Sequence, residues 1–182
     1  MSAYGVSVET CDQALVAMQR PGVASIQIIV NCLRQKPLEQ VLPTALAAGV
    51  AIIARVPLAS GLLSGRYDAQ TTFAADDHRN FNRNGEAFDV GETFAGVPYD
   101  VGLAAVRELK MLIPEGASLA QFALRWLIDT GGVTVVIPGA RHAGQARSNS
   151  EAAGCEPLTV EQLAGVAATY DRLVRPYVHT RW

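Results

Sequence analysis

Apolar strand-like runs alternate with helix-like stretches along this chain, and that alternation limits the fold more than any other feature. Residues 3–7 (AYGVS) form a short apolar run. Residues 25–31 (SIQIIVN) and 50–56 (VAIIARV) are β-branched and bounded by turn residues, so they read as strands buried on both faces. Thr10 suits the N-cap of a helix running through Gln19, which Pro21-Gly22 stops. Residues 38–48 are helical, with Gly49 at the C′ position. A polar stretch, 64–96, follows, with FAADDHRNFNRNGEAF at its centre. Residues 99–112 and 118–129 are helical, the second opened by a Ser118/Gln121 capping box. Residues 133–137 (VTVVI) give a fourth strand, and 142–153 and 160–174 two closing helices, the last opened by Thr159 with Gln162. Strands alternating with helices imply a parallel α/β sheet with right-handed crossovers. Four strands suit either a small doubly wound sheet or half of a (β/α)₈ barrel, whose full form needs about 250 residues.

The rest of the composition narrows the class. At 182 residues the chain is one domain's length, read as a single unit over 1–182. With 49% apolar and 18% charged residues it has the balance of a core-forming chain, not a disordered one. A net charge of −2 gives no basic excess for a phosphate backbone or an anionic membrane surface, so no nucleic-acid or membrane partner is expected. The longest charge-free apolar stretch, 41–54, contains Pro43 and Gly49 and is too short to span a bilayer. MSAYGVSVET has no basic lead into an apolar run, so no secretory signal is expected. Cys11, Cys32 and Cys155 are odd in number and far apart, which reads as free thiols in a reducing cytoplasm without structural zinc. The long polar segment, at about 64–98, exceeds what a compact domain carries without purpose and is expected to be a lid-like loop beyond the third strand.

Parallel α/β folds bind ligands beyond the carboxyl ends of their strands. The polar residues there are few: Ser7, Gln27, Asn31, Arg55, Ser60 and Arg141. Gln27 and Arg55 interrupt apolar strands and need partners, from the protein or from a ligand. The segment PLASGLLSGRY, from Pro57 to Tyr67, offers backbone N–H groups to a phosphate, or is an ordinary Gly-Ser turn. IPGARHAGQARSN, from Ile137 to Asn149, ends a strand in Pro-Gly, places Arg141 next and opens a helix. Arg141 is either a bidentate phosphate donor at that helix N-terminus or a solvated surface residue. Gln145 and Asn149, four apart, share a helix face suited to an adenine edge. His78, His142 and His179 lack metal-ligand spacing, Asp76-Asp77 beside His78 sits in a polar loop, and Trp126 between two leucines reads as core. No G-x-S-x-G, H-E-x-x-H, P-loop or G-x-G-x-x-G motif occurs.

Taken together, GVS at Gly5–Ser7, IQ…N at Ile26–Asn31, ARVPLASGLLSGRY and VIPGARHAGQARSN resemble the aldo-keto reductases in order and spacing. The chain is similar to the C-terminal half of a bacterial member over nearly its whole length. The resemblance implies strands five to eight of a (β/α)₈ barrel that binds NADP(H) across its C-terminal face and reduces aldehydes and ketones. It places Ser7 and Gln27 on the nicotinamide carboxamide and Arg55 where the family often sets an aromatic ring against the nicotinamide, so that a guanidinium plane would serve. It places Leu58, Ser60, Gly61 and Leu63 around the pyrophosphate. Gly139, Arg141, Gln145 and Asn149 would take the adenosine 2′-phosphate and adenine, and an Arg there favours NADP over NAD.

Two departures follow from the same resemblance. Val8 stands where an Asn usually follows the Ser. The family's catalytic Asp, Tyr, Lys and His lie on the first four strands, so no residue here is assigned as proton donor, and this chain alone is expected to be inactive. A carbonyl substrate is expected only on completion by the missing half. Two open sheet edges imply self-association or pairing with an N-terminal half. A non-catalytic dinucleotide-binding or interaction module is the alternative.

Overall fold

A computed structural model describes residues 2–182. Four strands, β1 (Tyr4–Ser7), β2 (Val23–Ile29), β3 (Ala51–Arg55) and β4 (Val135–Val136), form one sheet in the order β1-β2-β3-β4, all neighbours parallel. This order decides between the two architectures left open above. A doubly wound sheet reverses direction at a switch point, whereas a barrel wall adds each new strand on the same side. The chain never reverses, so the sheet has the build of a barrel wall.

The intervening helices start and stop where local chemistry dictates. α1 (Cys11–Met18) opens at Thr10, whose side chain accepts from Gln13 N while Gln13 caps back. α2 (Val41–Ala48) closes on Gly49 in the left-handed conformation (φ 66°), where a side chain would be strained. α4 (Tyr99–Lys110) follows Pro98, and α5 (Leu119–Asp129) and α7 (Val160–Thr169) open with the Ser118/Gln121 and Thr159/Gln162 capping boxes. α6 (Ala143–Glu151) starts at His142, whose Nδ1 accepts from Gln145 N at 3.3 Å. The expected single helix over 160–174 is interrupted: the last turns widen into a π segment (Tyr170–Val174) before α8 (Arg175–Val178). Pro176 has no N–H to donate back along that turn.

Strands two and three were expected to be buried on both faces, and the structure corrects this. Ile26, Ile28, Ile52 and Ala54 are fully buried in the core, whereas Ser25, Gln27, Ala51 and Ile53 are only half-buried and Val135 is 45% exposed. Helices cover one face, and nothing among the described residues covers the other except near the carboxyl ends. The apolar spelling of these strands suits a sheet packed on both sides. The fourth strand is also shorter than 133–137. Only Val135 and Val136 enter the ladder, with Thr134 N and Ile137 N donating to Ile52 O and Ala54 O.

Residues 64–98, expected to be a lid-like loop, pack onto the carboxyl end of the sheet with a small core of their own. They carry α3 (His78–Phe81) and several 3₁₀ turns. Asn82 is fully buried: its Oδ1 accepts from Ala87 N and Phe88 N at 2.8 and 2.9 Å, and its Nδ2 donates to Thr93 Oγ1. The guanidinium of Arg79 lies 4.6 Å from the Phe73 ring and that of Arg83 4.8 Å from Tyr99. Cys11, Cys32 and Cys155 are free thiols, and burial raises the first two, Cys32 well above the usual thiol range. Among the described residues no helix is long and apolar enough to cross a membrane, and no His/Cys/Asp/Glu group is placed to hold a metal.

Candidate functional site

The strand register brings the first two candidates together. Ser7 on β1 pairs with Gln27 on β2, which pairs with Ile53 on β3. In parallel strands such partners face the same way, and these face the open side. Ser7 is exposed and Gln27 half-buried. A hydroxyl and an amide thus stand side by side at the carboxyl end of the wall, a donor–acceptor set that fits a carboxamide.

Arg55 was expected to offer a guanidinium plane to a nicotinamide, but its surroundings in this structure serve another purpose. Its side chain is 8% exposed and spans the mouth of the sheet. One Nη pairs with Glu92, and the other donates to Glu9 Oε1 at 2.7 Å and to Val8 O at 3.0 Å. Arg55 Nε and Glu9 Oε2 are buried without partners. The guanidinium therefore ties the end of β1 and the 89–96 segment to β3. Glu9 and Glu92 were not singled out from the sequence, because nothing local marks a carboxylate 46 or 37 positions from its partner.

The loop after β3 holds Leu58, Ser60, Gly61 and Leu63, and its backbone is unusual. Val56, Ala59 and Ser60 have positive φ (51°, 47° and 53°), as does Gly61 (93°). Non-glycine residues there cost of order 1 kcal/mol or more each and persist only where surroundings over-determine them. The expected phosphate cradle is committed elsewhere in this structure: Gly61 N and Leu63 N both donate to Leu58 O, at 2.9 and 3.2 Å. Leu63 is fully buried, and a Cβ on Gly61 would lie 2.4 Å from the Tyr67 hydroxyl. Tyr67 is held by Arg79, which in turn pairs with Asp77. That contact keeps the Asp77 carboxyl well below the usual carboxylate range. Ser60 is engaged too: its hydroxyl donates to Glu92 O at 2.8 Å and accepts from Phe94 N at 3.1 Å.

The loop after β4 contrasts with it. Gly139 has open space around it and an ordinary φ. Arg141 is exposed and enters none of the ion pairs among the described residues. Gln145 and Asn149, expected to face an adenine edge, have amide groups turned onto the loop itself. Gln145 Oε1 accepts from Arg141 N at 2.7 Å, and Asn149 Nδ2 donates to Gly139 O at 3.2 Å. Beside this loop lies a groove of about 530 Å³ lined by Val136, Pro138, Ala140, Ala146 and Asn149. For a dinucleotide, the donor sets at the two ends fit, and the middle loop has its amides turned inward.

Comparison with known proteins places this geometry. The model of the aldo/keto reductase family matches residues 1–171, all of the chain but 172–182. The chain belongs to the aldo/keto reductase family. An aldo-keto reductase of Bacillus subtilis is 29% identical over 154 residues, covering 84% of this chain and 44% of the relative. An L-glyceraldehyde 3-phosphate reductase of Escherichia coli O157:H7 is 34% identical over 119 residues, 65% of this chain and 33% of the relative. Among solved structures, a glycerol dehydrogenase of Gluconobacter oxydans superposes with a TM-score of 0.74 at 29% identity, over 94% of this chain and 50% of that one. The holo form of an aldo-keto reductase of Bacillus halodurans does so at 0.65 and 21% identity, which supports the fold alone. The chain therefore spans between a third and just over half of the length of these relatives.

Proposed function

We propose that this chain is the dinucleotide-binding part of an oxidoreductase that reduces aldehydes or ketones with NADP(H), and that it corresponds to strands five to eight of a (β/α)₈ barrel. Family membership supports the reaction class. The unreversed four-strand order and the half-length cover of the relatives support the half-barrel. The observation that carries the site is the Ser7–Gln27 register pair at the carboxyl end of the open face. These two groups bind and orient the nicotinamide carboxamide. NADPH supplies the hydride. Arg141, free at the start of α6, takes the 2′-phosphate, and Gln145 and Asn149 keep the loop around it in place. Arg55 frames the mouth by holding Val8, Glu9 and Glu92.

Ser7, Ser25, Gln27, Ala51, Ile53 and Val135, which line the open face below Arg55, include no Tyr, Lys, His or carboxylate. The proton donor that carbonyl reduction requires must come from a complementary half. The same face and the free edges of β1 and β4 are what such a partner covers, whether an N-terminal half or a second copy. Light scattering over a dilution series is expected to show self-association of the isolated chain, and a monomer at every concentration overturns that part.

Calorimetric titration tests the cofactor assignment. Arg141→Ala is expected to weaken NADP(H) about ten-fold or more and to leave NAD(H) nearly unchanged, since a charge-assisted bidentate contact is worth roughly 1.5–3 kcal/mol. Equal losses overturn the assignment of Arg141. A non-catalytic module is the second reading, favoured by the same open face without an acid. A relative in Arabidopsis thaliana, 30% identical over 131 residues, is named a probable voltage-gated potassium channel subunit beta.

A further inference from the structure

The strained loop after β3 is held by more than its own turn hydrogen bonds. Its left-handed residues are fixed from outside: Asn31 Nδ2 donates to Val56 O at 2.9 Å, Arg55 pairs with Glu92, and the Ser60 hydroxyl bridges Glu92 O and Phe94 N. Two of these three ties end on the 89–96 segment, which is itself strained. Phe94, Ala95 and Gly96 run at φ 53°, 60° and 78°.

That second run is fixed in turn by one cluster. Arg34, 2% exposed, donates from Nη1 to Ala95 O at 3.1 Å. Its guanidinium stacks 3.5 Å from the centre of the Trp182 ring. The indole Nε1 donates to the Asp89 carboxylate, at 3.2 and 3.3 Å to its two oxygens. The ring fills the notch that Gly96 leaves: a Cβ there would come within 2.3 Å of it. Trp182 is 6% exposed and lies outside the stretch that the family model matches. An unbroken set of contacts thus runs from Trp182 through Arg34, Asp89 and Gly96 to Glu92 and Phe94, and from there to Ser60 and Arg55.

We propose that Trp182 is a latch that holds the 89–96 segment down and, through it, keeps the 56–63 loop closed, with the Gly61 and Leu63 amides turned onto Leu58 O. The gating consequence rests on the reading that this loop receives the dinucleotide pyrophosphate. On that reading the two amides must leave Leu58 O before they can meet a phosphate, so the latch sets how readily the site opens. Release costs the indole–guanidinium stack and the Asp89 hydrogen bond. It also relieves left-handed strain in both loops, which suits the pair to two discrete arrangements.

Residue-resolved amide exchange on the ligand-free chain tests the coupling. Trp182→Ala is expected to speed exchange at Phe94–Gly96 and also at Gly61 and Leu63 by about ten-fold, with α4 and α5 unchanged. Trp182→Phe keeps a ring beside Arg34 but loses the N–H and the outer edge of the indole that fills the Gly96 notch, and is expected to restore part of the protection. Faster exchange confined to Phe94–Gly96, or spread over α4 and α5, overturns the latch. Titration with NADP⁺ then separates the latch from the reading beneath it. A tighter or faster-binding Trp182→Ala variant supports the gate. Accelerated exchange with unchanged NADP⁺ affinity and rate keeps the coupling and overturns the placement of the pyrophosphate on this loop.

Discussion

The two turns that follow β3 and β4 look alike in the sequence and differ in what holds them. Each leaves a strand through a proline, contains a glycine and lies beside an arginine. The first is bound by long-range contacts: Arg55 to Glu9 and Glu92, Ser60 to Glu92 and Phe94, Tyr67 over Gly61. Its backbone is left-handed at four residues, and its side chains are mostly buried or half-buried. Among the described residues, the second is bound by its own helix, four to ten residues on, through Gln145 and Asn149, and it is exposed. The first turn spends its polar groups on the fold, whereas the second leaves Arg141 exposed and outside the ion pairs among the described residues.

The largest test of that contrast exchanges the two arginines. Arg55→Met leaves Glu9 and Glu92 close together without their shared cation and the Val8 carbonyl without a donor. Here the guanidinium is buried while both carboxylates are about a third exposed, so removing it is expected to cost about 2 kcal/mol. Arg141→Met removes an exposed side chain with no ion-pair partner and is expected to shift stability by under about 0.5 kcal/mol. Urea melts of the two variants give both numbers, and comparable losses would erase the distinction between the loops.

A second pair of substitutions probes the backbone. Gly61 sits at φ 93° with Tyr67 against the place of its missing Cβ. Gly61→Ala is expected to cost about 2 kcal/mol, from left-handed strain and displacement of the ring. Gly139 has nothing within 4 Å of such an atom and no positive φ. Gly139→Ala is expected to be neutral or to stabilise by about 0.5 kcal/mol, because it narrows the unfolded ensemble. Thermal melts of both variants check it. A destabilising Gly139→Ala would show that the second loop is as constrained as the first.

The contrast also explains which parts of the molecule could be read from the sequence. The first three strands, the capping boxes at Thr159 and Ser118, and Gly49 as a helix stop are written in neighbours a few positions apart, and they stand where that local chemistry puts them. Gln27 was visible as a polar break in an apolar strand, and its pairing with Ser7 is simply the register of two parallel strands. The helix-like run to Val174 was legible, but the widening at Tyr170 was not, because apolar periodicity does not register one extra residue in a turn. The parts that could not be read are those whose partner lies far along the chain. Arg55 was visible as an anomaly, but its partners Glu9 and Glu92 were not. Arg34 and Trp182 are 148 positions apart and meet only once the chain has folded. The packing inside the polar 64–98 segment was not legible, because its core is built from Arg on aromatic rings and a buried Asn, residue types that read as solvated.

The smallest effect tests the far end of the clamp on the first loop. Asp77 holds Arg79, Arg79 reaches the Tyr67 hydroxyl, and Tyr67 covers Gly61. The hydrogen bond from Arg79 holds the Asp77 carboxyl well below its ordinary value. A carboxylate depressed in the folded state stabilises above its unfolded pKa, about 3.9, and that contribution is lost as pH falls from there toward the folded value. Asp77→Asn, which keeps an acceptor at the N-cap of α3, is therefore expected to cost about 1 kcal/mol near neutral pH and progressively less below pH about 4. Urea midpoints of the two proteins measured between neutrality and acid should converge, whereas a gap that stays constant with pH would mean that the Asp77 charge does not bear on the loop. If the clamp works as a unit, exchange of the Gly61 amide in Asp77→Asn rises while that of Arg141 does not, since the turn after β4 has no tie to this segment.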